Sequence, residues 1–332
     1  MTNLLEFKEK LNHFYAKNGK FVRPILKLFI AFTVLMLINN NIGYDARLGN
    51  IIVITAISVI GAFLPASLFV LIAALYTVLH VYYSSPILAF VTIMLFMILY
   101  FMFIRFMPKS GYVVLAVPLL YIIKIPFVVP ILLGMVSGPI ALIPISCGVI
   151  VYFLFKILKS AMLLTNGTSV EDMLGMYKYV FDNLMSNKEM ILAIVAFGIV
   201  LLLTYFIRNL SIDYAFYIAI LAGAVVNVLV FLIGGLVLNI SLGVTSLIIG
   251  SIISGFLVVI VQFFRLNLDY STVEYTQFED DDYYYYVKAV PKVKIAAPKK
   301  DVKRIKGEHQ EESLDAVSVQ GEESSADNAR LM

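Results

Sequence analysis

Apolar runs close to the length of a bilayer crossing alternate with short polar stretches from residue 24 to residue 266. A hydrocarbon core about 30 Å thick takes about 20 residues of helix at 1.5 Å each. The pattern therefore predicts an all-α polytopic membrane protein of about seven to nine helical segments, some broken or re-entrant. A small C-terminal β-hairpin and a disordered tail follow. The strands of a membrane barrel would alternate in polarity over about ten residues, and the body of this chain does not.

Four regions are expected. Residues 1–23 read as a basic amphipathic segment. Leu4, Leu5, Phe7, Leu11, Phe14 and Tyr15 fall at helical spacing, and Lys8, Lys10, Lys17, Lys20 and Arg23 suit anionic headgroups. By the positive-inside rule this end is cytoplasmic. Residues 24–266 form the helical membrane domain, beginning with a span over 24–39. The run 51–83 is too long for one span and breaks near "GAFLPAS", so it returns to the side it entered from. Pro86 opens the next span, which ends at "FIRFMPKS". Near 169–186, Val170, Met173, Leu174, Met176, Tyr177, Val180, Phe181 and Leu184 recur at helical spacing, with Ser169 as cap, and predict an amphipathic helix on the membrane or on its own bundle. Three spans close the body over 190–206, 214–238 and 242–264.

Between them lies "VPLLYIIKIPFVVPILLGMVSGPIALIP", where five of the eleven prolines fall between residues 118 and 144. Each removes a backbone donor and obstructs the carbonyl one turn earlier. Broken backbone at membrane depth is tolerated only where protein buries it or water reaches it. Lys124, Pro126, Pro130, Gly134, Gly138 and Pro139 are the candidate functional residues of this interior. Lys124 either snorkels to an interface or serves a buried role. Elsewhere Ser246, Gly250 and Ser254 fall four apart, and Gly134 and Gly138 make a similar pair, as helix-packing signals. Asn227 reads as an interhelical hydrogen bond, and His80 as a hydrogen-bonded or interfacial histidine.

Topology turns on the proline-rich stretch. With two crossings there and in the next span, the tail lies outside; with one crossing and a re-entrant loop, the tail is inside and Lys156 and Lys159 are outside. Arg208 and Arg265 favour a cytoplasmic tail.

After the last span, odd positions from Tyr283 through Tyr285 and Val287 to Ile295 are apolar or aromatic, while Lys288, Lys292 and Lys294 are even. This period of two predicts a strand, paired through the acids 279–282 with "STVEYTQF" in a hairpin spanning 267–298. Its odd face, Tyr283, Tyr285 and Val287, is the candidate partner-docking surface. Residues 299–332, lysine-rich and then acidic and serine-rich, cannot bury enough apolar surface to fold.

Charged residues make up only 14% of the 332 and net charge is +3, so nucleic acid is not implied. The one cysteine, Cys147, excludes an intramolecular disulfide and a cysteine-based zinc cluster. No metalloprotease pair, nucleophile elbow or phosphate loop is present, and an enzyme, a cofactor or a metal site is not expected. The multi-span body joined to "QFEDDDYYYYVKAVPKVKI" resembles a group of uncharacterised integral membrane proteins of anaerobic Gram-positive bacteria, some labelled as transporter permeases. The resemblance implies a multi-pass protein of a bacterial plasma membrane. The loop "SVEDMLGMYKYVFDNL" departs from the Glu-Ala-Ala...Gly coupling signature of importer permeases. Two functions stand: a transporter or permease-like component using the proline-broken region, or a non-catalytic scaffold or assembly protein. The scaffold would recruit a second copy or another protein through its loop helix, hairpin and tail.

Overall fold

The computed structural model describes residues 2–101, 107, 110–163, 170–212, 214–266, 274–279 and 284–289. The chain divides into two compact units, Asn3–Leu268 and Asp269–Met332. Eleven α-helices are present among the described residues of the first: α1 (Thr2–Ile42), α2 (Ile51–Phe63), α3 (Ala66–Ser84), α4 (Pro86–Leu99), α5 (Gly111–Ile122), α6 (Val128–Val136), α7 (Leu142–Leu163), α8 (Val170–Met185), α9 (Lys188–Arg208), α10 (Ala215–Leu238) and α11 (Val244–Leu266). Six stretches are long and apolar enough to cross a bilayer: Lys17–Ile42, Ala66–Ser84, Pro139–Met162, Gly175–Arg208, Ala215–Leu238 and Val244–Phe264. They are compatible with an integral, multi-pass membrane protein.

The count exceeds the expected seven to nine because the breaks at Pro65 and between α5 and α7 each make separate short helices. At the N-terminus the chain does the opposite. The segment 1–23 and the first span share one 41-residue helix, with Pro24 inside it.

Side-chain contacts fix which helix ends lie together. At one end, here the proximal end, Phe7 of α1 meets Phe264 of α11 edge-on, 6.4 Å between centroids. Lys8, only 7% exposed, lies over the Phe263 ring at 5.8 Å. Arg208, closing α9, donates to the Met135 carbonyl near the end of α6. At the distal end, Lys188 Nζ of α9 reaches the Leu238 carbonyl of α10 at 3.5 Å, and Lys156 of α7 pairs with Glu189 at 2.9 Å. Ser85, between α3 and α4, contacts Met176 Sδ of α8 at 4.0 Å. The loop after α1 is at this end too, because the Asp45 N–H donates to His80 Nδ1 at 3.3 Å and the Tyr76 hydroxyl to the Leu48 carbonyl at 3.1 Å. His80 is thus a buried, hydrogen-bonded side chain, as its sequence context implied.

These contacts trace one path. α1 runs from proximal to distal. α2 and α3 form a hairpin that enters distally and turns where Lys27 Nζ meets the Leu64 carbonyl at 3.5 Å. Asn50 caps α2 through its side chain, and Leu64 and Pro65 are extended, which ends one helix and starts the next. α4 then descends until Leu99 joins Val70, Val114 and Cys147 in a small core cluster. α5 and α6 form the reverse hairpin, entered from the proximal side. α7 rises, α8 rests on the distal end through Val180 and Leu184, and α9, α10 and α11 complete the bundle. The end of α11 thus lies beside the start of α1, and α4, at 14 residues, is like α2 and α5 shorter than a full crossing. α3 has the length of a span but belongs to a hairpin.

In the second unit β1 (Glu274–Glu279) and β2 (Tyr284–Ala289) pair antiparallel, with Phe278 opposite Tyr285 and Thr276 opposite Val287. The hairpin expected from the period of two is present, although Val287 is 45% and Tyr286 76% exposed. Tyr283, the cap Ser169 and the tail 299–332 lie outside the described residues.

Cysteines placed singly in a Cys147→Ser background test the path. Asp45→Cys, Asn187→Cys and Ser241→Cys should react with an impermeant maleimide from one side of the membrane, and Lys20→Cys and Asn209→Cys from the other. Asp45→Cys and Asn187→Cys labelling from opposite sides would exclude the path.

Candidate functional site

The proline-rich stretch folds into the α5–α6 hairpin, whose two arms are 12 and 9 residues long. At 1.5 Å per residue these reach about 18 and 14 Å, each short of a full crossing. α5 tolerates Pro118 in its interior, and the helix stops at the apex instead. There Lys124 takes a left-handed backbone conformation, φ 65°, and Pro126 holds Ile125 away from helical geometry. The freed donors are re-paired locally: the Lys124 N–H bonds the Tyr121 carbonyl at 3.1 Å and the Ile125 N–H the Leu120 carbonyl at 2.9 Å. Pro130 sits in the first turn of α6, where its missing donor costs little.

Lys124 itself is exposed, so its side chain is not buried within the bundle. Pro126, Pro130 and Gly134 are buried, whereas Pro139 is exposed at the start of a short 3-10 turn, Pro139–Ala141. Gly134 and Gly138 do not form the expected packing pair. A side chain at Gly134 would collide with Thr204 and the Leu201 carbonyl of α9, but one at Gly138 would meet nothing within 4 Å. Gly250 of α11 has the matching role at the apex, where a β-carbon would lie 3.0 Å from both the Lys124 carbonyl oxygen and the Phe127 ring. Small residues on α6 and α11 therefore let the hairpin seat deeply among α9, α10 and α11.

Aromatic rings wall the hairpin. Tyr121 stacks on Tyr152 at 4.3 Å, and Phe127 meets Phe197 at 6.3 Å and Phe231 at 5.5 Å, both edge-on. The buried Tyr121 hydroxyl has no hydrogen-bond partner and lies within electrostatic reach of Tyr152 and Glu189. Tyr152 is one turn from Lys156 on α7, so the apex lies below the Lys156–Glu189 pair. That pair borders a polar cleft of about 400 Å³, lined also by Asn183, Lys188, Asn239 and Ser241.

Beside the apex, Asn227 Nδ2 of α10 donates to Ser251 Oγ of α11 at 2.7 Å, the interhelical bond expected of it. Sequence reasoning treated Ser254 as packing and passed over Ser251. Both are buried, Ser251 against the amide, and no spacing rule for one helix reveals what faces it from another. Among the described residues no cluster of three His, Cys, Asp or Glu could hold a metal.

The fold and this interior define a helical bundle with two helical hairpins entered from opposite ends, compatible with a multi-pass membrane protein. Comparison with family models, with curated proteins and with solved structures gives no match.

The apex makes two opposed predictions. Lys124→Gly should raise unfolding stability by about 1 kcal/mol, because glycine adopts a positive φ without a steric cost. Gly250→Val should lower it by about 1–3 kcal/mol, since the added branches meet backbone and ring rather than a flexible side chain. Thermal unfolding in detergent reads both, with Gly138→Ala as a neutral comparison.

Proposed function

We propose that the protein is a permease-like membrane component that passes a small polar solute along the α5–α6 hairpin. The observation that carries this reading is the hairpin itself: a helix pair that enters from the proximal end, stops inside the bundle and turns back. A chain selected only for anchoring has no need to end helices at depth, where every exposed peptide group is costly. Hairpins of this kind provide helix ends and free carbonyls where a solute can be met. The distal polar cleft supplies a mouth above the apex, and the α2–α3 hairpin, entered from the other end, gives the bundle two short elements able to shift against the long helices.

The proximal end is cytoplasmic in this reading. Lys8, Lys10, Lys17, Lys20, Arg23 and Arg208 gather there. The membrane is the bacterial plasma membrane, as the resemblance of the Tyr-rich segment implies, and both chain ends face the cytoplasm. The exposed Tyr177, Phe181 and Met185 of α8 then suit the outer interface, where amphipathic aromatic rings anchor. The exposure of Tyr286 and Val287 favours a second reading, a scaffold that recruits a protein through its terminal hairpin.

Proteoliposomes loaded with a small-molecule cell extract separate the two. A transporter should deplete a specific set of solutes relative to protein-free vesicles, and Gly250→Val should slow that depletion. No depletion of any solute, together with stoichiometric capture of a partner by the hairpin, would replace transport with scaffolding.

A further inference from the structure

Three buried oxygen-bearing side chains lie on the paired helices α10 and α11, and two of their oxygens have no hydrogen-bond partner. Asn227, Ser251 and Ser254 are all at most 1% exposed. The Asn227 amide uses its N–H on Ser251 Oγ, 2.7 Å away, which leaves Oδ1 unpartnered; Ser254 Oγ is unpartnered as well. An orphaned oxygen of this kind costs on the order of 1–3 kcal/mol in a protein interior and has no water to reach in hydrocarbon. One belongs to the amide bonded to Ser251 and the other to the serine three residues on, so we take them to share a partner.

The surroundings define that partner's chemistry. Ser251 and Ser254 are three apart on α11, so they project from neighbouring positions on one face. Gly250 and Ser254 are one turn apart on the same helix, and Gly250 is the point where α11 approaches the Lys124 carbonyl oxygen. That carbonyl belongs to the turn that ends α5, where the backbone carbonyls carry the negative end of the helix dipole. The available groups are therefore an amide oxygen, two hydroxyls and a backbone carbonyl. All are neutral and oxygen-bearing, and Lys124 sends its ammonium to the surface. A divalent cation ordinarily requires carboxylates to offset its charge, and no Asp or Glu lies in α10 or α11. An anion would meet only neutral hydroxyl and amide donors beside the negative end of the α5 dipole, with no cationic group among these residues to offset its charge.

We propose that Asn227, Ser251, Ser254 and the Lys124 carbonyl bind a monovalent alkali cation. The assignment deepens and rests on the transport reading, in which the cation is a coupling ion: it ties α10 and α11 to the apex of the hairpin, so that binding holds α5–α6 in its seated position. Neutral oxygen ligands suit such an ion because it must leave as readily as it arrives.

The test uses the full-length protein purified in detergent, with thermal unfolding followed in NaCl, in KCl and in choline chloride at equal ionic strength. A saturable rise in melting temperature with Na⁺ or K⁺, absent with choline, is expected. Ser254→Ala removes one oxygen at a position where alanine suits the helix, and should raise the half-saturating cation concentration about tenfold, the scale of one lost charge-assisted contact. Asn227→Leu should abolish the response. If Asn227→Leu fails to fold, Ser254→Ala decides alone. Equal stabilisation by all three salts, or a Ser254→Ala variant with unchanged half-saturation, would overturn the site. The readout does not depend on flux. Specific stabilisation by Na⁺ or K⁺ in a protein that moves no solute would uphold the site and sink the transport reading.

Discussion

A peptide group in hydrocarbon has no water to bond, and for a bundle whose six long apolar stretches suit a bilayer that constraint bears on every helix end. Wherever a helix of this chain ends short of an interface, its last donors and acceptors must be paired by the turn itself or by a neighbour. At the α5–α6 apex the Lys124 and Ile125 N–H groups turn back to carbonyls of α5, while the Lys124 carbonyl oxygen is brought against α11. At the α2–α3 turn the Leu64 N–H returns to Gly61, and the Leu64 carbonyl accepts from Lys27 of α1. Side-chain hydroxyls follow the same rule. Thr33, Thr55, Ser58, Thr77, Thr92, Ser146 and Thr204 each donate to the carbonyl four residues earlier. Against that background the unpartnered Asn227 and Ser254 oxygens are exceptions, as are the Tyr112 and Tyr121 hydroxyls, His80 Nε2 and Gln262 Oε1.

Close approach supplies what hydrophobic burial cannot. Lipid tails are as apolar as the Leu and Ile side chains that face them, so helices in a bilayer associate through packing and hydrogen bonding rather than by escaping solvent. The many exposed large apolar residues, among them Phe29, Phe63, Phe90, Leu221 and Leu236, are what such a surface presents. Neighbouring elements approach closely where small residues replace them, at Gly134 and Gly223 beside Thr204, at Gly234 beside Leu192 and at Gly250 beside Phe127. The Phe127–Phe197–Phe231 ring cluster fills the space next to these contacts.

The sequence shows the element list well and the path poorly. Apolar run length locates the long helices, and the proline spacing identifies where backbone breaks fall, because both are local properties of chain and solvent. The amphipathic period of α8 and the alternation around Tyr285 are legible for the same reason. The boundary read at residue 23 has no counterpart in α1, since Pro24 in a long helix can be accommodated when flanking residues favour helix. The number of crossings depends on whether a short helix continues or turns back, and that is decided by tertiary partners such as Gly250 and Arg208. Lys124 was visible as an unusual residue, but its exposure follows from the turn conformation. The role of Gly134 required knowing that Thr204, 70 residues on, faces it, and nothing at Gly138 distinguishes it by type.

The contact between Phe7 and Phe264 joins the first helix to the last. A chain inserted in the order of its synthesis holds α1 in the bilayer long before residue 264 has been made. The Phe7 ring therefore gains its contact with Phe264 only at the end of synthesis. Formation of this contact marks completion: it can occur only after every intervening helix has been made, and a chain truncated before α11 would lack the ring that Phe7 meets edge-on.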